Sequence, residues 1–100
     1  MRLVSIKVLR DFCNANPDAK QALLAWHAEV SNATWTQPSQ VKDQYGNASI
    51  LKNKRVVFNI KGNDYRLIVA VAYRWGVVYV KFVGTHREYD RVDAETVELE

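Results

Sequence analysis

The 100-residue sequence has little of the features that mark several common functional classes. A single cysteine, Cys13, excludes an internal disulfide and a zinc site built from cysteines. Four scattered glycines exclude a glycine-rich phosphate loop. No apolar run approaches the roughly 20 residues that a membrane span needs, and the N-terminus lacks the apolar core of a signal peptide. We therefore expect a cytoplasmic protein with no membrane partner.

The residue types that other catalytic classes require are also scarce. No pair of His or Cys residues has metal-ligand spacing, so that a metal site is not expected. A Ser-His-Asp arrangement is disfavoured because no serine lies between Ile50 and Glu100. The sequence therefore predicts neither a metal nor any other cofactor.

Positive charge is concentrated in one part of the chain. The net charge is only +3, but residues 52–91 contain nine Lys or Arg against three Asp or Glu, a surplus of six. The other sixty residues sum to −3, and acidic residues crowd the last eight positions. A basic patch beside an acidic tail favours a polyanionic partner. We expect the tail from Asp93 onward to be frayed or bound to a partner.

Three apolar runs rich in Val, Ile, Tyr and Phe predict a three-stranded antiparallel meander over residues 55–84. Gly62-Asn63 is a two-residue hairpin signal, which makes opposed residues in the first hairpin sum to 125. Trp75-Gly76 can turn the second hairpin in the same way, with opposed residues summing to 151. These registers predict one row of Asn59, Arg66 and Thr85, and another of Arg55, Ala70 and Lys81.

Both registers assign the same residues to a buried face, since side chains alternate along a strand. The predicted core face carries Val56, Phe58, Ile60, Tyr65, Leu67, Val69, Val71, Tyr73, Val78, Val80 and Phe82. The opposite face carries Arg55, Val57, Asn59, Lys61, Arg66, Ile68, Ala70, Ala72, Arg74, Tyr79, Lys81, Val83 and Thr85. A solvent-facing sheet surface ordinarily mixes charges, whereas no acidic residue is interleaved here. The pattern therefore favours a shallow, basic, anion-binding surface.

The remaining segments predict an α+β fold, with an N-terminal helical hairpin packed on one face of a small antiparallel sheet. Ser5 is a candidate cap for a first helix, and Asn16-Pro17 marks a break before a second helix. On the second helix an apolar face recurs at steps of three or four residues and is expected to pack: Ala19, Leu23, Trp26 and Val30. The hairpin covers residues 5–31, and a connector with one or two helical turns covers residues 32–54. The meander at 55–84 and a C-terminal segment at 85–100 complete a single domain of residues 1–100.

His86 is the candidate acid–base residue, because the predicted register brings it to the rim of the basic face. Thr85 can cap a helical turn through a capping box with Glu88, which places Tyr89 one turn beyond His86. An imidazole beside fixed cations suits acid–base catalysis on a phosphodiester. RNA brings its own nucleophile, the 2′-hydroxyl.

The stretch RVVFNIKGNDYRLIVAV followed by YVKFVGTHREYD resembles the HigB-type toxins of the RelE-like superfamily, and the resemblance extends over most of the chain. It implies a RelE-like fold and an endoribonuclease that cleaves messenger RNA on translating ribosomes. It also implies neutralisation by a helix-turn-helix antitoxin of the HigA type. Other branches of the superfamily have Arg or Tyr where this sequence has Thr85-His86, which leaves open whether His86 is the acid or the base.

The resemblance and the predicted face together give two sets of candidate site residues. The catalytic candidates are Arg66, Lys81, His86 and Tyr89. The RNA-binding candidates are Lys52, Lys54, Arg55, Asn59, Lys61, Arg74 and Tyr79. Arg66 and Lys81 are expected to bind the scissile phosphate, and Tyr89 to orient or stack on a base. Two alternatives use the same face: a non-catalytic RNA-binding module, and an interaction module for an acidic partner.

Overall fold

The computed structural model describes residues 1–99, which form an α+β fold of helices packed on a five-stranded sheet. The strands are β1 (Arg2–Val4), β2 (Ser49–Ile50), β3 (Arg55–Ile60), β4 (Tyr65–Ala72) and β5 (Val77–Thr85). The helices are α1 (Lys7–Ala15), α2 (Lys20–Ser31), α3 (Pro38–Gln44) and α4 (His86–Tyr89). The strand order is β1-β5-β4-β3-β2. The predicted meander is thus the centre of a larger sheet, and the parallel pairing of β1 with β5 makes that sheet mixed.

The helical hairpin forms where the sequence predicts it. A 3-10 turn at Pro17–Ala19 separates α1 from α2, as expected from the Asn-Pro break. Ser5 is not the helix cap, because Ile6 holds that position and Ser5 has a φ of +69°. The predicted packing face of α2 is confirmed, with its four apolar residues at 0–3% exposure. These four residues are Ala19, Leu23, Trp26 and Val30.

The helices cover one side of the sheet, which we call the core face. Trp26 of α2 packs edge-on against Phe58 of β3, with ring centroids 5.4 Å apart. Phe12 of α1 contacts Tyr65 of β4 in the same way at 5.3 Å. Trp35 of the connector is 4% exposed and stacks on Phe58. Aromatic edge and stacking contacts of this kind stabilise a core beyond their buried area.

The register of the first hairpin is confirmed, because every opposed pair of β3 and β4 sums to 125. Asn59 therefore lies opposite Arg66, and Arg55 lies opposite Ala70. The turn residues with positive φ are Lys61 (+52°) and Gly62 (+64°), one position earlier than the Gly-Asn signal implies. This difference leaves the pairing unchanged, since the loop still spans the same four residues.

The register predicted for the second hairpin is wrong. Tyr73–Trp75 form a 3-10 turn that ends at Gly76 with a φ of +66°, so the loop is two residues longer than predicted. Opposed residues near the turn, such as Ala72 and Val77, sum to 149 rather than 151. A shift of two keeps side chains on their predicted faces, but Tyr79 replaces Lys81 in the row of Arg55 and Ala70.

A β-bulge changes the faces of the rest of β5. Ile68 pairs with Phe82 while Val69 pairs with Val80, which leaves Lys81 as the extra residue. Beyond the bulge Phe82 lies beside Ile68 on the face away from the helices, and Val83 packs on the core instead. Gly84, not Thr85, therefore lies opposite Arg66. The prediction for Phe82, Val83 and Thr85 is therefore wrong by one position along β5, which places each side chain on the opposite face of the sheet.

The face of the sheet away from the helices, which we call the far face, is partly covered by residues 93–99. Val57 and Ile68 of this face are 2% and 0% exposed, although the helices lie on the other side. The Arg55 guanidinium binds the carbonyl oxygens of Ala94 and Val97 at 3.3 and 2.6 Å. The expectation of a frayed C-terminal segment is therefore wrong, and the far face is not a uniformly wet surface.

Candidate active site

Helix α4 is fixed at the edge of the far face by its N-terminal contacts. The predicted capping box is confirmed: the Thr85 hydroxyl accepts from the Glu88 amide at 3.1 Å, and the Glu88 carboxylate accepts from the Thr85 amide at 2.8 Å. The His86 amide donates to the carbonyl of Asp64 at 3.1 Å. These bonds tie the first turn of α4 to the β3–β4 turn, beside Arg66.

Arg66 reaches from β4 to His86. Its Nη2 lies 3.3 Å from Nδ1 of His86, and the guanidinium also donates to the carbonyl and side-chain oxygens of Asn63 at 3.2 and 3.4 Å and to the carbonyl of Tyr65 at 3.3 Å. The guanidinium plane lies 5.7 Å from the ring centre of Tyr89. The rings of His86 and Tyr89 are 6.4 Å apart and nearly perpendicular. Three of the four catalytic candidates therefore lie together.

The contacts of the imidazole define its hydrogen-bonding state. A guanidinium only donates, so Nδ1 of His86 is the acceptor in the contact with Arg66. The ring proton of the neutral form is then on Nε2, which lies 3.5 Å from the Asp90 carboxylate. The side chains of His86 and Asp90 are 49% and 62% exposed, so substrate and water can reach them. We call Arg66, His86, Tyr89 and Asp90 the His86 cluster.

The fourth catalytic candidate, Lys81, lies outside the His86 cluster. Its Nζ donates to Oε1 of Glu98 at 2.7 Å and lies 5.9 Å from the ring centre of Tyr79. Nη2 of Arg55 binds the other oxygen of the same carboxylate. Hydrogen bonds from Lys81 and then Arg55 hold the pKa of Glu98 below its ordinary value. We call Arg55, Lys81 and Glu98 the Glu98 cluster.

Arg55 is only 6% exposed, whereas its predicted role in RNA binding requires an exposed side chain. Its guanidinium is surrounded by the C-terminal segment, which supplies two carbonyl oxygens and the Glu98 carboxylate. Arg55 is therefore the residue that anchors this segment to the sheet. The strands themselves carry no acidic residue, as the sequence shows, but the C-terminal segment brings the Glu98 carboxylate among their cations.

Lys61 is also held away from the far face. Its Nζ binds the Asp18 carboxylate at 2.9 Å, and the other oxygen of that carboxylate accepts from the Tyr65 hydroxyl at 2.5 Å. The hydrogen bond from Tyr65 and then that from Lys61 lower the pKa of Asp18. The same contact with Asp18 raises the pKa of Lys61. The positive φ of Lys61 turns its side chain towards the helical side, which corrects its predicted place.

The other RNA-binding candidates lie at various distances from the His86 cluster. Asn59 is adjacent to it, directly opposite Arg66. Lys52 and Lys54 are exposed in the turn before β3, at the opposite end of that strand. Arg74 also lies at that end, with its guanidinium 5.1 Å from the ring centre of the exposed Trp75. Tyr79 is 39% exposed, in the row of Arg55.

Three residues of this region are absent from the predicted site. Asp90 was detectable, because its i,i+4 spacing from His86 places both side chains on one helical face. Gly84 is required because an added Cβ would lie 2.7 Å from Cζ of Phe82, a contact that depends on the bulge. Glu98 carries no local signal, since its partners are 17 and 43 residues away in sequence.

Two further properties describe residues 1–99. Within this range, no helix combines the length and hydrophobicity that crossing a membrane would require. In the same part of the chain, no three His, Cys, Asp or Glu side chains are grouped as metal ligands would be. Cys13 is half-buried on α1, and burial raises the pKa of its thiol.

The family of this protein follows from comparison of its sequence with models of known families. The model of the HigB toxin family, described as the RelE-like toxic component of a toxin–antitoxin system, matches residues 19–92. The chain belongs to the HigB family. The matched segment includes α2, the sheet from β2 to β5 and the whole His86 cluster. The protein is therefore the toxin component of a toxin–antitoxin system, and a cognate antitoxin is its implied partner.

Relatives with curated names agree with this family. The mRNA interferase toxin HigB of Escherichia coli K12 is 29% identical over 92 residues, which cover 90% of this chain and 88% of that protein. The mRNA interferases HigB of Escherichia coli O157:H7 and Shigella flexneri match with the same identity and coverage. The HigB family thus accounts for nearly the full length of the chain.

Proposed function

We propose that this HigB-family toxin is an endoribonuclease that cleaves messenger RNA at the His86 cluster. The observation that carries this proposal is the contact between Nη2 of Arg66 and Nδ1 of His86 at 3.3 Å on an exposed part of the far face. A fixed cation next to an imidazole supplies both of the groups that phosphodiester cleavage requires. The names of the relatives, which are mRNA interferases, supply the substrate class.

The reaction begins when RNA binds and the Arg66 guanidinium moves from Nδ1 of His86 to the scissile phosphate. The freed Nδ1 takes the proton of the adjacent 2′-hydroxyl, and that oxygen attacks phosphorus. The bond from phosphorus to the 5′ oxygen breaks, which leaves a 2′,3′-cyclic phosphate, and the 5′ oxygen takes a proton from water. Arg66 stabilises the charge that develops on the phosphoryl oxygens.

Asp90 and Tyr89 assist this step from opposite sides of the imidazole. The Asp90 carboxylate, 3.5 Å from Nε2, holds the ring in the tautomer with Nδ1 free and stabilises the imidazolium that forms. Tyr89 lies beside both Arg66 and His86, where its ring is placed to stack on a neighbouring base. Asn59, opposite Arg66, adds a polar contact to the RNA backbone.

The cellular setting of the proposal follows the family. The RNA is cleaved on the translating ribosome in the cytoplasm, and a HigA-type helix-turn-helix antitoxin neutralises the toxin. Three of the exposed cations away from the His86 cluster bind the phosphates of the longer RNA or the ribosome. These cations are Lys52, Lys54 and Arg74.

The proposal is tested by tightly induced expression of the wild type, His86→Ala and His27→Ala, with growth and the 5′ ends of messenger RNA followed in parallel. His27 is the matched control, because it is the other histidine of the chain and lies on α2 behind the sheet. We expect growth arrest and new 5′ ends with the wild type and His27→Ala. In His86→Ala the cleavage rate should fall by about 10²- to 10⁴-fold, the usual contribution of a general acid or base.

Two results would contradict the proposal. Undiminished cleavage by a folded His86→Ala protein would exclude the imidazole from the reaction. Normal growth and intact messenger RNA at high expression of the wild type would reduce the His86 cluster to an RNA-binding or protein-binding surface. Ribosome dependence is tested by adding the purified toxin to naked and to ribosome-bound messenger RNA.

A further inference from the structure

The Glu98 carboxylate occupies a position that suits a phosphate. Nη2 of Arg55 binds one of its oxygens and Nζ of Lys81 binds the other at 2.7 Å. Two converging cations that each bind one oxygen of an anion are also a common arrangement around an RNA phosphate. The Glu98 side chain is 56% exposed, so it can leave this position for water.

Arg55 remains in place without Glu98. Its Nη1 donates to the carbonyl oxygens of Val97 and Ala94, at 2.6 and 3.3 Å, while only Nη2 faces the carboxylate. The side chain of Arg55 is 7% exposed and that of Lys81 is 24% exposed, so neither cation is free to turn into solvent. An anion that replaces Glu98 therefore meets a cationic site that is already ordered, and preorganisation of this kind favours binding.

The position lies close to the His86 cluster on the same face of the sheet. Lys81 lies at the bulge opposite Ile68 and Val69, two to three residues along β4 from Arg66. At the rise of a β-strand this separation is roughly 7–10 Å, which is a short step along an RNA backbone. Arg66 and the Glu98 cluster are on the same face of the sheet, since Arg55, Val57, Asn59 and their partners alternate regularly.

We propose that Nη2 of Arg55 and Nζ of Lys81 form a second phosphate-binding subsite, which Glu98 occupies in the RNA-free protein and which an RNA backbone phosphate takes over. This inference rests on the proposed function, because it names a further contact of the same substrate. Glu98 competes with the RNA, so the charge of the acidic tail lowers the affinity of the toxin for RNA. A non-cognate polyanion that makes no contact at the His86 cluster is discriminated against most strongly, because it gains no other contact there to offset the displacement of Glu98.

The test measures binding of a fluorescently labelled single-stranded oligonucleotide with 2′-O-methyl groups, which cannot be cleaved because the nucleophile is blocked. The proteins are the wild type, Glu98→Gln and Glu95→Gln. Glu95 is the matched control, because it lies in the same segment and makes no ion pair among residues 1–99. We expect the Kd of Glu98→Gln to fall about 3- to 10-fold and that of Glu95→Gln to change less than about 2-fold. These figures are the order expected for one exposed ion pair.

Lys81→Gln completes the design. It should weaken binding and lower the slope of log K against log salt by about 0.7, the loss of one phosphate contact on a single strand. Equal affinities of Glu98→Gln and Glu95→Gln would overturn the inference while leaving cleavage, measured separately in cells, intact. Weaker binding by Glu98→Gln with a lowered Tm would assign Glu98 a purely structural role. Tighter binding by Glu98→Gln without any cleavage would support the subsite and refute the catalytic proposal.

Discussion

The far face carries two clusters of basic side chains that differ in what surrounds their cations. In the His86 cluster, Arg66 contacts an imidazole, an aromatic ring and neutral oxygens of a turn. In the Glu98 cluster, Arg55 is 6% exposed and is bound to a carboxylate and two backbone carbonyls. Arg66 therefore belongs to an exposed candidate active site, whereas Arg55, on the adjacent strand, anchors the C-terminal segment.

The comparison shows that a basic sheet face is not one continuous binding surface. Charge alone predicts equal roles for Arg55 and Arg66, since both are on the same face of adjacent strands. Burial separates them, because the buried guanidinium of Arg55 must always be paired, with two carbonyl oxygens and an anion, while the exposed guanidinium of Arg66 needs no anion in the RNA-free protein. Lys81 is bound to Glu98 and lies outside the His86 cluster. We therefore assign Lys81 to a neighbouring phosphate and not to the scissile one.

The largest effect that sharpens this comparison is expected from Arg66→Ala. Cleavage should fall by about 10²- to 10³-fold, as for the loss of one donor that stabilises a developing charge. The free energy of unfolding should change by less than about 0.5 kcal/mol, because Arg66 packs no core. Single-turnover cleavage and urea denaturation measure the two effects. An unfolded Arg66→Ala protein would instead place Arg66 with the anchoring residues and remove the distinction.

The opposite pattern is expected from Arg55→Ala. The substitution leaves the carbonyl oxygens of Ala94 and Val97 without this donor and leaves the Glu98 carboxylate with Lys81 alone. We expect a loss of about 1–3 kcal/mol in the free energy of unfolding and rapid proteolysis of the C-terminal segment. Urea denaturation and limited proteolysis, with Arg74→Ala as an exposed control, test this. Unchanged stability with a protected C-terminal segment would show that Arg55 is not the anchor.

The sequence predicts those parts of the fold whose signals are local. The α2 packing face, the capping box of α4 and the β3–β4 register all follow from residues close together in the chain. The β3–β4 register follows from the Gly62-Asn63 turn signal, and the alternation of Phe58, Asn59 and Ile60 agrees with it. The sequence also predicts that Arg66, His86 and Tyr89 lie together, and they do, because the longer turn and the bulge together shift the pairing at Arg66 by only one residue, from Thr85 to Gly84.

The remaining errors arise where the pattern is ambiguous or the contact is distant. In β5, apolar residues occupy both alternations, as Val80, Phe82 and Val83 show, so the bulge at Lys81 leaves no trace in the hydrophobic pattern. The longer turn before β5 has a similar cause, since Gly76 fits both a two-residue and a four-residue loop. The position of Glu98 depends on cations far away in sequence, and no spacing rule reports such a contact.

Gly84 lies on β5 between the two clusters, and Gly84→Ala tests how tightly this part of the strand is packed. An added Cβ would lie 2.7 Å from Cζ of Phe82 and 3.1 Å from the Glu88 carboxylate, which belongs to the cap of α4. We expect a loss of about 1–3 kcal/mol in the free energy of unfolding, the usual cost of overpacking. Gly46→Ala is the control, because nothing lies within 4 Å of its added Cβ. Equal stability of the two variants in urea would mean that Phe82 yields freely.

The smallest effect is expected around Lys61, a cation beside the sheet that takes no part in either cluster. Lys61 and Tyr65 bind Asp18, whose pKa is lowered by these contacts, so Asp18 stabilises the fold above its ordinary range near pH 3.9. Falling pH removes this stabilisation as the carboxylate is protonated. Rising pH removes it above the ordinary pKa values of Lys and Tyr at about 10, as the raised pKa values of Lys61 and Tyr65 are passed.

Asp18→Asn should therefore be less stable than the wild type at neutral pH and approach it in acid, with RNA cleavage unchanged at pH 7. Urea midpoints measured between pH 3 and pH 10 test the stability difference, and Asp43→Asn, on α3, serves as a control for loss of one surface carboxylate. A difference that stays constant with pH would show that the ionisation of Asp18 contributes nothing. Asp18→Asn releases Lys61 from its ion pair. Reduced cleavage by this variant would show that the released Lys61 contacts the RNA and changes how it lies along the sheet.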